Sequence, residues 1–88
     1  MAATQLLATG STAASSTDLT IAAGTPVVVC LKGVADGGAL VIVSLKDDAG
    51  AYNVIWRLTS GSPVIEITGP GTYRFTRVAG SACGVFSA

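Results

Sequence analysis

The sequence predicts an all-β fold: a small antiparallel β-sandwich or barrel of about seven or eight short strands, carrying a flexible N-terminal arm. Three observations predict it. Half of the 88 residues are hydrophobic and only 11% are charged, and the apolar residues fall into short runs with β periodicity. Gly, Pro, Ser and Thr punctuate those runs at close spacing, as turns do. No window carries the 3.6-residue period of a helix of ordinary length.

Residues 4–8 form a short apolar stretch, and 10–16 (Gly-Ser-Thr-Ala-Ala-Ser-Ser) form a small, polar segment. Gly/Ser-rich chain of this kind is flexible, so 1–16 reads as an arm with its hinge and 17–88 as the single body domain. The body begins at 18–21, where Leu19 and Ile21 alternate with polar neighbours as in a half-buried strand. Residues 22–26 turn the chain. The β-branched run 27–32 is apolar on both faces except at Lys32, as a central strand is. Gly33 and Gly37-Gly38 bracket a loop, and 39–46 is too densely apolar for an exposed edge.

Asp47-Asp48-Ala49-Gly50 makes a hairpin turn. In 51–59, alternation places Tyr52, Val54, Trp56 and Leu58 on one face and Asn53, Ile55, Arg57 and Thr59 on the other. After the turn at 60–63, the strand 64–68 directs Ile65 and Ile67 inward and Glu66 to solvent. Gly69-Pro70-Gly71 breaks the chain again. The run 72–78 then alternates, with Tyr73 and Phe75 on one face and Arg74 and Thr76 on the other, and 84–87 closes the body with one more strand.

A chain this short buries only about 60 to 65% of its unfolded surface when it folds alone, so its solitary stability is modest. Small scaffolds of this size are completed by disulfides, a metal or oligomerisation, and oligomerisation fits best here. Five basic and five acidic residues cancel to zero net charge, which leaves no long-range field for nucleic acid or an anionic membrane. No apolar run approaches the roughly 20 residues of a spanning helix. The N-terminus lacks the basic and apolar regions of a secretory signal, so the expectation is a soluble protein made without export.

Histidine is absent, which excludes Ser-His-Asp and Cys-His catalytic units. Asp47 and Asp48 read as turn residues that accept backbone hydrogen bonds. Asp18, Asp36 and Glu66 are scattered among other segments, too few and too dispersed for calcium, and two cysteines without His do not make a zinc site. No cofactor is expected. Cys30 sits within an apolar strand and Cys83 follows Gly80-Ser81-Ala82, surroundings that favour free, buried thiols over a bridge. The Gly33 to Gly38 loop has no Lys-Ser/Thr of a phosphate loop and reads as a plain turn.

Arg57, Arg74 and Arg77 form a candidate basic patch, although positions 74 and 77 have opposite parity and an unbulged strand presents them on different faces. Charge neutrality argues against nucleic acid, so these arginines, with Leu6 and Leu7 of the arm, are candidate interface residues. Trp56 has three readings: a sugar-stacking platform with Tyr52, an interface anchor, or a core residue. Its parity with Val54 and Leu58 favours the core.

At Leu19-Thr20-Ile21-Ala22-Ala23-Gly24-Thr25-Pro26 and at Ile67-Thr68-Gly69-Pro70-Gly71-Thr72-Tyr73-Arg74-Phe75 the chain resembles small β-sandwich structural proteins of tailed bacteriophages. These include capsid decoration or cement proteins, head fibres and small tail components. The likeness spans most of the body and transfers no functional residue by position. It implies a non-enzymatic virion protein assembled in the host cytoplasm, most simply one that clamps the major capsid protein or another virion protein. It also implies a homo-oligomer, with a trimer preferred. The alternatives are a tail or fibre module that binds host glycan and a cellular adhesion or assembly module.

Overall fold

A computed structural model describes residues 3–34 and 37–88, and among them the chain is all β, with nine strands and no helix. They are β1 (Thr4–Gly10), β2 (Ala14–Ser15), β3 (Leu19–Ile21), β4 (Val27–Lys32), β5 (Leu40–Lys46), β6 (Tyr52–Thr59), β7 (Val64–Ile67), β8 (Gly71–Arg77) and β9 (Cys83–Ser87). One sheet has the order β1-β9-β4-β7; the other has β2-β8-β5-β6, with β3 also paired to β8. Every pairing is antiparallel.

Taken as couples, the pairings are nested. β5 pairs with β6, β4 lies beside β7, β2 and β3 share β8, and β1 lies beside β9. A long hairpin wound on itself into two facing sheets has this connectivity, the jelly roll. Turn chemistry supports the winding. Gly50 takes φ 85° in the β5–β6 turn, a backbone setting that glycine reaches without steric cost. There the Asp47 carboxylate accepts from the backbone N–H of Ala49 and Ala51, both at 2.9 Å.

The core lies between the sheets, where β4 contributes Val29 and Leu31, β5 Val41 and Val43, β8 Tyr73 and Phe75, and β9 Cys83 and Val85. Alternation is clean on β8, where Tyr73, Phe75 and Arg77 are buried while Arg74 and Thr76 are half-buried on the outer face. The Tyr73 hydroxyl donates to the Gly69 carbonyl at 2.9 Å, so the buried phenol satisfies its polar end by holding the incoming turn.

Residues 3–16 correct the expectation of an arm and hinge, whose first two residues, Met1 and Ala2, lie outside the described residues. β1 is a strand of the first sheet, paired with β9 from Thr4↔Ser87 to Gly10↔Cys83, and β2 pairs with β8. Ser16 extends that pairing, since its N–H donates to the Phe75 carbonyl at 2.8 Å and its hydroxyl accepts from the Phe75 N–H at 3.0 Å. β1 slips register twice, between Gln5 and Leu7 and between Leu7 and Gly10. The first slip leaves Leu6 without a partner on β9, and both Leu6 and Leu7 reach the core.

Candidate functional site

β6 is a terminal strand of its sheet, so one side of its backbone has no strand partner. Its register against β5 runs Lys46↔Tyr52, Leu45↔Asn53 and Ser44↔Val54, then jumps to Val43↔Trp56 and Val41↔Leu58. Ile55 is the extra residue of a bulge. Because β5 continues regularly across the bulge, Tyr52 and Val54 share the outer face with Lys46 and Ser44, whereas Trp56 and Leu58 fall on the inner side with Val43 and Val41.

Only Leu58 of this strand reaches the core. Val54 is 52% exposed, Ile55 44% and Trp56 46%, and Val64 at the start of β7 is 51% exposed. The expectation that Trp56 belongs to the core is therefore corrected: the inner-side position lies on a rim that the facing sheet leaves uncovered. The bulge also removes the Tyr52–Trp56 sugar platform, because it turns the two rings to opposite faces. What remains is a consecutive apolar strip of Val54, Ile55 and Trp56 with Arg57 exposed beside it.

The other candidate residues lie apart from this strip. Arg74 points outward from β8, where it pairs with the Asp18 carboxylate at 3.1 Å, donates to the Tyr52 hydroxyl at 3.0 Å and stacks 4.0 Å above the Tyr52 ring. The Tyr52 hydroxyl donates to both Asp18 oxygens at 2.8 and 2.7 Å. That hydrogen bond, ahead of the contacts from Arg74, holds the Asp18 carboxyl below the usual carboxylate range, and it raises the Tyr52 phenol above its ordinary value. The cluster ties the link between β2 and β3 to the outer face of β5, β6 and β8. An ion pair as exposed as this one contributes little to stability.

Arg77, expected at the surface as a candidate interface residue, is instead buried at 4% exposure. Its Nε donates to the Thr12 carbonyl at 2.7 Å, and its Nη1 donates to the carbonyls of Ala8 and Cys83 at 2.7 and 2.8 Å. The guanidinium joins β1, the β1–β2 link and β9 at one end of the core. Leu7 is likewise a core residue at 8% exposure, and Leu6 packs partly against that core. Of the five candidate interface residues, Arg57 alone lies exposed beside the apolar strip.

Both thiols are free; Cys83 is buried as expected, while Cys30 is only half-buried, on the outer face of β4. No group of His, Cys, Asp or Glu among the described residues is placed to hold a metal ion, and Asp36 lies outside them. Compared with protein-family models, with curated proteins and with solved structures, the chain matches none.

Proposed function

We propose that this protein is a non-enzymatic structural component of a virion, most specifically a decoration or cement protein that binds the major capsid shell through the β6 rim. The observation that carries the reading is the exposed strip Val54-Ile55-Trp56 on an unpaired strand edge. A half-exposed Trp that follows two exposed aliphatic residues and precedes an exposed Arg along an edge strand brings together residue types common in binding hot spots. An open edge also offers backbone hydrogen bonds to an added strand. Jelly-roll connectivity is common among capsid proteins, an analogy at the level of fold that supports the reading without assigning it. The lack of histidine and the zero net charge agree with a role in binding rather than chemistry or nucleic-acid recognition. Many weak contacts suffice when copies are numerous on one particle.

The test has two steps. Mass spectrometry across a density gradient of the source lysate is expected to find the protein with large particles; its absence from every particle fraction would defeat the virion reading. Particles stripped of the protein are then offered the parent and Trp56→Ala. Removal of a hot-spot side chain costs at least ~2 kcal/mol of binding, so the variant is expected to bind about 30-fold more weakly or worse. Equal binding by a folded Trp56→Ala would remove the β6 rim from the interface.

A further inference from the structure

The two outer faces of the sandwich differ. On the β2-β8-β5-β6 sheet Ile42 and Val54 face outward among mostly polar side chains, which include Ser15, Thr20, Thr72, Arg74, Thr76 and Lys46, and hydroxyls meet across strands at Ser15–Thr76 (3.0 Å) and Thr20–Thr72 (3.4 Å). β8 there shows the usual division of an antiparallel sheet, apolar toward the core with Thr72, Arg74 and Thr76 outside. The other sheet breaks it. Inward positions Val29 and Leu31 fix the parity of β4, so Val28, Cys30 and Lys32 face out. Cys30 lies opposite Phe86 on β9 and Val64 on β7, which gives an unbroken apolar row, Phe86-Cys30-Val64, across three strands. Val28, 37% exposed, extends it along β4.

Two charges flank the row. Glu66 lies opposite Val28 on one side of Cys30, and Lys32 lies opposite Gly84 on the other. Along β4 these two levels stand about 7 Å on either side of Cys30. Lys32 donates a hydrogen bond to the neutral amide of Gln5. Neither Lys32 nor Glu66 has an ion-pair partner among the described residues, where the one salt bridge is Arg74–Asp18.

We infer that the outer face of the β1-β9-β4-β7 sheet is a two-fold interface with a second copy of this chain. A face carrying an apolar centre with opposite charges on its two sides is complementary to itself. A two-fold axis lying in the face beside Cys30 sets apolar row against apolar row and each copy's Lys32 against the other's Glu66. Such an isologous contact needs one patch only. Buried area alone does not set affinity, so the association is sought at micromolar concentrations, where a weak contact between small faces shows. The contact does not depend on binding to a particle, and its test uses the purified full chain alone.

Sedimentation from about 1 to about 200 µM brackets that range. The weight-average mass is expected to rise from 8.7 kDa toward twice that value. Lys32→Glu and Glu66→Lys each set like charges face to face and are expected to raise the dissociation constant about 10-fold, while the double variant restores it to within about 3-fold of the parent. Val64→Lys, at a half-exposed position that folding tolerates, is expected to abolish the rise; Trp56→Ala is expected to leave it intact. A monomer at every concentration overturns the inference, as does a limiting mass of three chains. Failure of the double variant to restore association, or loss of association in Trp56→Ala with indifference to the charge variants, overturns it equally.

Discussion

Replacing Arg77 is expected to weaken this fold more than replacing any other charged residue. The guanidinium makes three hydrogen bonds, all to backbone carbonyls from the three segments that meet at that end of the core. Hydrogen bonds to charged groups contribute about 1.5–3 kcal/mol each, which gives roughly 4–9 kcal/mol for three. Burying the charge offsets several kcal/mol of that, which leaves a net loss of about 3–4 kcal/mol for Arg77→Met, where the stem is kept and three carbonyls are stranded. Whole-domain stability at roughly 0.05–0.15 kcal/mol per residue is only about 4–13 kcal/mol for a chain of this length, so the variant sits close to unfolding. With a urea slope near 1 kcal/mol/M, the midpoint is expected to fall by about 3 M. Arg77→Lys keeps the charge but not the planar fork that serves carbonyls in different directions, and is expected to lose about half as much. A midpoint for Arg77→Met within about 0.5 M of the parent, or an Arg77→Lys indistinguishable from it, would refute this account of the guanidinium.

Two further perturbations test other parts of the structure. A Cβ at Gly84 would stand 2.7 Å from the Leu7 carbonyl oxygen and 2.9 Å from the Thr9 nitrogen, both backbone atoms at the second slip of β1. Gly84→Ala is therefore expected to cost about 1–3 kcal/mol and to expose the amides of β1 to hydrogen exchange, and unaltered protection there would show that the strand moves aside freely. At low pH, Asp47 supplies the second test: the Asn53 side-chain amide at 3.0 Å, then the backbone N–H groups of Ala51 and Ala49, hold its carboxyl below the usual carboxylate range. A folded value below the unfolded value of about 3.9 means that the stabilisation is complete above that pH and is lost as pH falls through the folded value. Asp47→Asn is expected to flatten the acid limb of a urea-midpoint curve, and parallel curves for parent and variant would contradict the assignment.

The strands that alternate were legible in the sequence, and those that bulge were not. The run 27–32 coincides with β4, and the opposite parity of Arg74 and Arg77 correctly places them on different faces of β8. In β1 the adjacent Leu6 and Leu7 erase the two-residue period, because a slipped register brings both toward the core, and the small polar residues that follow conceal β2. The same effect hid the β6 rim. Parity counted through Ile55 carries Trp56 onto the face of Tyr52, and only the pairing with β5 reveals the extra residue. The run Val54-Ile55-Trp56 was itself a signal, since three consecutive apolar residues fit a strand covered on both faces or a bulged edge. Burial of Arg77 carried no local mark, because its three acceptors come from backbone far away in the chain or beyond the strand's end.

The pairing of Thr4 with Ser87 sets β1 at one margin of its sheet, with β9 between it and β4. β7 forms the opposite margin of that sheet, and β6 passes directly into β7 through the turn at 60–63. A reporter attached at Thr4, exposed on β1, thus stands on the flank away from the apolar rim. It reports on the body while the opposite side of the sandwich, where β6 and β7 meet, remains open to a partner.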